Sequence, residues 1–220
     1  MKDNIKKIII VIGIVVVCIG IALVIMFSSE RNVQPGLDYK PVIYLYPTAE
    51  TKVTVKLENK DNIIYSYPKY VDGWNVVARP DGTLIDLDTN RELYSLYYES
   101  ENIYNYDVTD EGFIVNGEDT ISFLEEKLEV LGLNERETEE FIIYWLPQLE
   151  NNKYNYIRFA TKEEIEKNMP ITYSMTPDSE IRILMTYKPL NKEIEVKEQK
   201  LVTPERTGFT VVEWGGTRIK

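Results

Sequence analysis

The hydrophobic pattern of the chain has two regimes: one long apolar run, then short stretches in which apolar and polar residues alternate. Ile8–Phe27 reads IIIVIGIVVVCIGIALVIMF, without a charge, an amide, a proline or a hydroxyl. As a helix rising about 1.5 Å per residue it spans roughly 30 Å, the hydrocarbon thickness of a bilayer. The run predicts a transmembrane helix over 8–27, with a short N-terminal stub over 1–7 and a linker over 28–39. A cleaved signal has an apolar core of about 7–15 residues and a small-x-small site, and Met26-Phe27-Ser28 is no such site. Cys18 follows three valines and sits inside the run, so it reads as a lipid-facing residue and not as a lipoprotein cysteine. Lys2, Lys6 and Lys7 precede the run, whereas Ser28, Ser29, Glu30 and Arg31 follow it. Positive charge stays on the cytoplasmic side, so the expected topology is single-pass at the cell membrane, N-terminus cytoplasmic, with an extracytoplasmic domain over 40–220.

Beyond the linker the pattern is mostly β. Val42–Tyr46 is a short apolar and aromatic run stopped by Pro47, and Val53, Val55 and Leu57 alternate with Thr54 and Lys56, as in a half-buried strand. Further strands are expected at Ile63–Tyr67, Trp74–Ala78, Thr83–Leu87 and Leu93–Tyr98, with turns at Arg79–Gly82 and Asp88–Asn90. The period then changes. Ile121, Leu124, Leu128 and Leu131 recur at helical spacing, and Gly132 closes the helix. Asn134 with Glu137 resembles a capping box for a second helix carrying Phe141, Ile142, Tyr144, Trp145 and Leu149, which Pro147 should kink or shorten. Strands return at Tyr154–Ala160, Ile171–Met175, Glu180–Tyr187 and Phe209–Trp214, with a short helix capped by Thr161 and Glu164. The expected class is α+β: one transmembrane helix, then a β-rich domain with an inserted αα-hairpin.

Composition narrows the chemistry. The chain has 25 Lys plus Arg against 36 Asp plus Glu, a net charge of −11. An acidic domain is repelled by phosphate backbones, so no nucleic-acid partner is expected. There is no histidine, and Cys18 is the sole cysteine. Ser-His-Asp and Cys-His catalysis, His-ligated zinc and stabilising disulfides are therefore all excluded from the domain. Asp86, Asp88 and Asn90 have the oxygen spacing of a calcium loop, but Arg91 replaces the required glycine and Tyr97 the bidentate glutamate. No metal site and no cofactor are expected.

Carboxylates remain as acid–base groups, and a paired-carboxylate glycan hydrolase is the enzyme that could work without histidine. Glu99, Glu101, Asp107 and Glu213 lie near aromatic residues, although no catalytic motif is recognisable. Tyrosine offers a second clue: sixteen residues, with Tyr94, Tyr97, Tyr98, Tyr104 and Tyr106 close together. Exposed rings pack against sugar C–H faces and also suit protein interfaces. The binding residues expected on this basis are Tyr97, Tyr98, Tyr104, Tyr106 and Trp74, with Glu99–Asp110 as the binding loop.

Three motifs carry a resemblance. Lys40-Pro41-Val42-Ile43-Tyr44-Leu45-Tyr46-Pro47 opens the domain, and Gly208-Phe209-Thr210-Val211-Val212-Glu213-Trp214-Gly215-Gly216 closes it. Between them lie Asp72-Gly73-Trp74-Asn75-Val76 and Pro80-Asp81-Gly82-Thr83-Leu84. Together they resemble an uncharacterised family of bacterial exported or surface proteins, which implies one exported structural unit and transfers no site. The function expected is a membrane-anchored, non-enzymatic binding module for an envelope protein or glycan, touching lipid through Ile8–Phe27. The alternative is the carboxylate-dependent envelope hydrolase.

Overall fold

The computed structural model describes residues 37–219. The apolar run 8–27, its N-terminal stub and most of the linker lie outside the described residues. Among the described residues, no helix is long and apolar enough to cross a membrane. The strands are β1 (Leu37–Tyr46), β2 (Thr51–Leu57), β3 (Ile63–Tyr67), β4 (Trp74–Ala78), β5 (Leu84–Asp86), β6 (Glu92–Leu93), β7 (Leu96–Glu101), β8 (Glu111–Asn116), β9 (Tyr154–Phe159), β10 (Ile171–Tyr173), β11 (Ser179–Leu190), β12 (Lys197–Glu198) and β13 (Thr210–Arg218). The helices are α1 (Thr120–Val130), α2 (Glu135–Leu149) and α3 (Lys162–Asn168). The fold is α+β and strand-rich, as expected. β1 begins at Leu37, so the last residues read as linker already belong to the sheet.

One large sheet organises the domain, in the order β12-β8-β9-β11-β13-β1-β7-β3, and a smaller sheet runs β10-β2-β4-β5-β6. β13 sits between β11, to which it is parallel, and β1, to which it is antiparallel. Its residues from Thr210 to Thr217 are all buried. That is why Val211, Val212 and Trp214 crowd together there without strict alternation, and why Glu213 among them is sealed inside. On one face Val42, Tyr44, Ile183, Met185, Val212 and Trp214 pack under Leu124, Leu128, Phe141 and Trp145 of α1 and α2. On the other, Ile43, Leu45 and Val211 pack on Val53, Val55, Trp74 and Val76 of the small sheet. The αα-hairpin thus covers one face, and a second sheet covers much of the other.

Local signals explain most boundaries. Asn134 and Glu137 form the expected capping box on α2, and Thr161 and Glu164 form the one on α3. Glu137 is fully buried, and Arg206 grips its carboxylate through two hydrogen bonds of 2.8 and 3.1 Å. The fork geometry of that contact matches carboxylate and guanidinium donors. Two details differ from expectation: the second helix is not shortened, and its neighbour turns a different face inward. Pro147 lies inside the last turn of α2, which runs on to Leu149; the carbonyl that loses its partner belongs to exposed Ile143, where water can serve it. Ile121, expected on the core face of α1, is exposed, and Thr120, Leu124 and Leu128 are the buried positions.

A third expectation is corrected more usefully. Leu93–Tyr98 is not one strand: β6 belongs to the small sheet and β7 to the large one, and the chain changes sheet at Tyr94-Ser95. Close packing also fixes two glycines. Gly208 has φ +59, and a Cβ there would stand 2.1 Å from the Asp178 carboxylate that accepts the Phe209 N–H. At Gly216 a Cβ would lie 2.6 Å from the Trp145 ring and 2.8 Å from the Met185 carbonyl. The ring could shift, but the β11 backbone cannot follow. Gly216→Ala is therefore expected to destabilise the domain by about 1–3 kcal/mol, read as a lowered urea midpoint with an unchanged slope.

Candidate functional site

Two clusters of polar chemistry stand out, one closed and one open. The closed one lies on the small-sheet side of the large sheet. Arg182 and Glu213 are cross-strand partners on β11 and β13, with side chains 1% and 5% exposed. Arg182 also donates to the Met169 carbonyl at 2.8 Å, and the Tyr98 hydroxyl donates to Glu213 at 2.6 Å. Burial alone would favour loss of the guanidinium proton, but the adjacent Glu213 charge overrides it and holds Arg182 charged. Burial, reinforced by Glu213, pushes the Tyr98 phenol far up, so it stays a donor. No solute reaches this pair, and it reads as structural.

Asp38 lies beside it, cross-strand from Ser100 and near Asn102, whose amide donates to the Thr217 hydroxyl at 3.3 Å. Asp38 Oδ1, Ser100 Oγ and Asn102 Oδ1 have no hydrogen-bond partner among the described residues. Burial, then the Glu213 charge, raises the Asp38 carboxyl to about 8. The folded state therefore holds this proton more tightly than the unfolded chain, where an aspartate titrates near about 3.9. The resulting stability is complete below the unfolded value and is lost as pH rises through the folded one.

The open cluster is a cleft of about 510 Å³ where α2 stops short of β7 and β3. Its floor is built by register: Tyr97 of β7 stands opposite Val42 of β1 on one side and Tyr67 of β3 on the other, and Glu99 stands opposite Tyr65. Strand alternation puts Tyr65, Tyr67, Tyr97 and Glu99 on the helix side, beyond the helices' reach. Tyr65, Tyr67 and Tyr94 are 61, 51 and 47% exposed. Tyr94 arrives there because the chain changes sheet at that residue.

The walls come from α2 and from a bulge in β1. Arg136, Glu140 and Tyr144 follow one another at four-residue spacing, a single stripe on the helix. Glu140 accepts from the Tyr44 hydroxyl at 2.7 Å and from Arg136 at 3.2 Å. The Arg136 guanidinium in turn lies 4.4 Å from the Tyr94 ring centre. Lys40 occupies the bulge between Tyr39 and Val42 with φ +55, a left-handed conformation rare for a residue with a Cβ. Its ammonium stands 5.3 Å from the Tyr144 ring centre. Burial, then the Glu99 carboxylate, pushes the Tyr97 phenol well above its ordinary range, and the same two causes raise Tyr144. Both phenols therefore present neutral O–H groups at any physiological pH.

Of the residues expected to bind a ligand, Tyr97 alone lines the cleft. Tyr98 is core, under the Glu213 carboxylate. Trp74 is buried against Tyr70 with its N–H donated to the Pro68 carbonyl at 2.8 Å. Tyr106 is buried and accepts from Asn168 at 2.8 Å. Tyr104 is half-buried, edge-on to Tyr106 at 5.1 Å, with its hydroxyl on Glu164 at 3.3 Å. The segment Glu99–Asp110 is thus no free binding loop: from Asn102 on it is a strap, tied to α3 through Asn168. The physical reason is that its tyrosines had sheet surface to cover, since the small sheet leaves part of that face bare.

The acids sort likewise. Glu99 reaches the cleft, Glu213 is sealed in the core, and Glu101 and Asp107 are exposed elsewhere. Glu140, which the helical pattern alone would leave on a solvated face, is a cleft residue, as are Lys40, Tyr67 and Tyr144. The stripe of Arg136, Glu140 and Tyr144 beside the apolar face of α2 was the available signal. The Asp86–Asn90 stretch is a turn, in which Thr89 donates to Asp86 and Asn90 takes φ +57. Among the described residues, no group of three or more metal-ligating side chains is assembled.

Comparison with known proteins adds little. No protein-family model matches the chain, and no solved structure matches it. A curated protein of Butyrivibrio fibrisolvens, "Uncharacterized protein in bglA 3'region", is 37% identical over 60 residues, or 26% of this chain. The match spans 62% of that protein's own length.

Asp38 supplies a test of the closed cluster. The urea stability of the wild type is expected to fall, relative to that of Asp38→Asn, by roughly 3 kcal/mol between pH 5 and pH 8. A constant difference between the two proteins across that range would show that Asp38 is not held protonated.

Proposed function

We propose that this chain is a single-pass membrane protein of the exported bacterial type, with Ile8–Phe27 in lipid and the N-terminus in the cytoplasm. Its extracytoplasmic domain is a non-enzymatic binding module for a glycan of the cell envelope. The observation that carries the reading is the cleft over Tyr97: neutral tyrosine rings for sugar C–H faces, with Glu99, Glu140 and Lys40 for sugar hydroxyls. A concave site of this size suits a short saccharide better than a flat protein surface. Glu140 is already committed to Tyr44 and Arg136, which suits a fixed acceptor better than a proton donor. The occurrence of two carboxylates in one tyrosine-lined cleft favours one further reading, a glycan hydrolase using Glu99 and Glu140.

Solubilised envelope glycans titrated into the full chain in detergent should bind, and Tyr97→Ala should weaken binding at least about tenfold, or 1.4 kcal/mol, measured where its urea transition shows the variant still folded. Release of new reducing ends by the wild type, lost in Glu99→Gln, would instead establish the hydrolase. Topology has its own measurement. Protease added to intact spheroplasts is expected to digest everything beyond Asn32, and full protection of the domain would overturn the orientation.

A further inference from the structure

A second groove, of about 480 Å³, lies at the opposite edge of the large sheet, between α1 and the outer side of β8. β12 pairs only with Glu111 and Gly112 of that strand. The outer edge of Phe113–Asn116 therefore carries no strand among the described residues, leaving about 13 Å of ladder open. The Gln199 N–H donates to the Gly112 carbonyl at 3.2 Å, which fixes Gly112 as outward-facing. Backbone alternation then turns the N–H and C=O of Ile114 outward as well. An open edge of this kind is a template for another extended segment.

The side chains define what that segment carries. Phe113 and Phe123 meet edge-on at 5.2 Å and give the groove an apolar wall below α1. Asp119, Glu126 and Glu198 line it against a single cation, Lys127, whose ammonium is held by Glu126 at 2.8 Å and Glu198 at 3.7 Å. The groove is thus acidic and apolar at once. A second copy of this chain, itself at net −11, would bring like charges together along the seam. We propose that the β8 edge binds an extended basic peptide by strand addition, its backbone paired with Ile114, one apolar side chain against Phe123, and Lys or Arg beside Asp119 and Glu126.

Two labelled peptides, acetyl-(Lys-Val)3-amide and acetyl-(Glu-Val)3-amide, added to the full chain in detergent and followed by fluorescence anisotropy, test this. The Lys peptide is expected to bind at least about tenfold more tightly than the Glu peptide. Ile114→Pro removes an outward N–H, together with a side chain packed on the Tyr156 and Leu184 cluster, and should weaken the Lys peptide at least tenfold. The double variant Asp119→Lys/Glu126→Lys should do the same and tests the charge contribution; if Ile114→Pro does not fold, the Lys peptide N-methylated along its backbone decides the pairing, since strand addition requires it to lose at least tenfold and equal binding overturns it. Equal binding by wild type and folded Ile114→Pro would reduce the effect to charge alone and overturn strand addition. Failure of the Lys peptide to bind would overturn the proposal outright, as would self-association abolished by Ile114→Pro in its place. Glycan binding at Tyr97 is a separate measurement and stands or falls independently.

Discussion

The architecture follows from one constraint: the central strands of the large sheet are apolar on both faces. β13 cannot present either side to water, and its neighbours β1 and β11 repeat the demand, with Ile43 and Leu45 facing one way and Val42 and Tyr44 the other. Each face of a sheet needs a covering layer. Only α1 and α2 are long enough to supply one, so the other face takes the small sheet, supplemented by α3 and the strap 102–110. The Arg182–Glu213 pair lies within that second interface. Removing one partner of such a pair is costly, on the order of 3–5 kcal/mol, because it strands a charge in the interior.

The same constraint locates the open sites. Two helices cannot span eight strands, so the sheet outruns its cover at both edges. At the β7–β3 end the surplus surface is tyrosine-rich and becomes a cleft. At the β8 end the surplus is a backbone edge beside an acidic helix. Natural sheets usually protect such edges with charge or short blocking strands. β12 is a blocking strand of just two residues, and the remainder of β8 is guarded only by carboxylates, which deter this acidic chain's own copies more than a basic partner.

Much of the fold was legible. Capping boxes at Asn134 and Thr161, alternation in β2, and the helical spacing of Leu124 and Leu128 are local signals, each enforced by the residues that show it. The candidate site was less so. Tyr97 was legible as an aromatic in a strand, but nothing in the local pattern separates it from Tyr98, one residue on and fully interior. Glu140 looked like an ordinary solvated helix flank and Tyr144 like part of the apolar face, because the tyrosine shelf they face comes from strands forty to eighty positions earlier.

By itself the sequence determined the element types, the acidic and histidine-free chemistry, and the long apolar run whose meaning depends only on its length and lack of charge. Those properties are local or additive, so order along the chain is enough to read them. Which tyrosines face solvent, which carboxylates share a cleft, and where β8 lies open were decided only in three dimensions. A strand side chain's surroundings depend on its register with partners far away in sequence. A change of sheet at Tyr94-Ser95, or a bulge at Lys40, redirects everything that follows it.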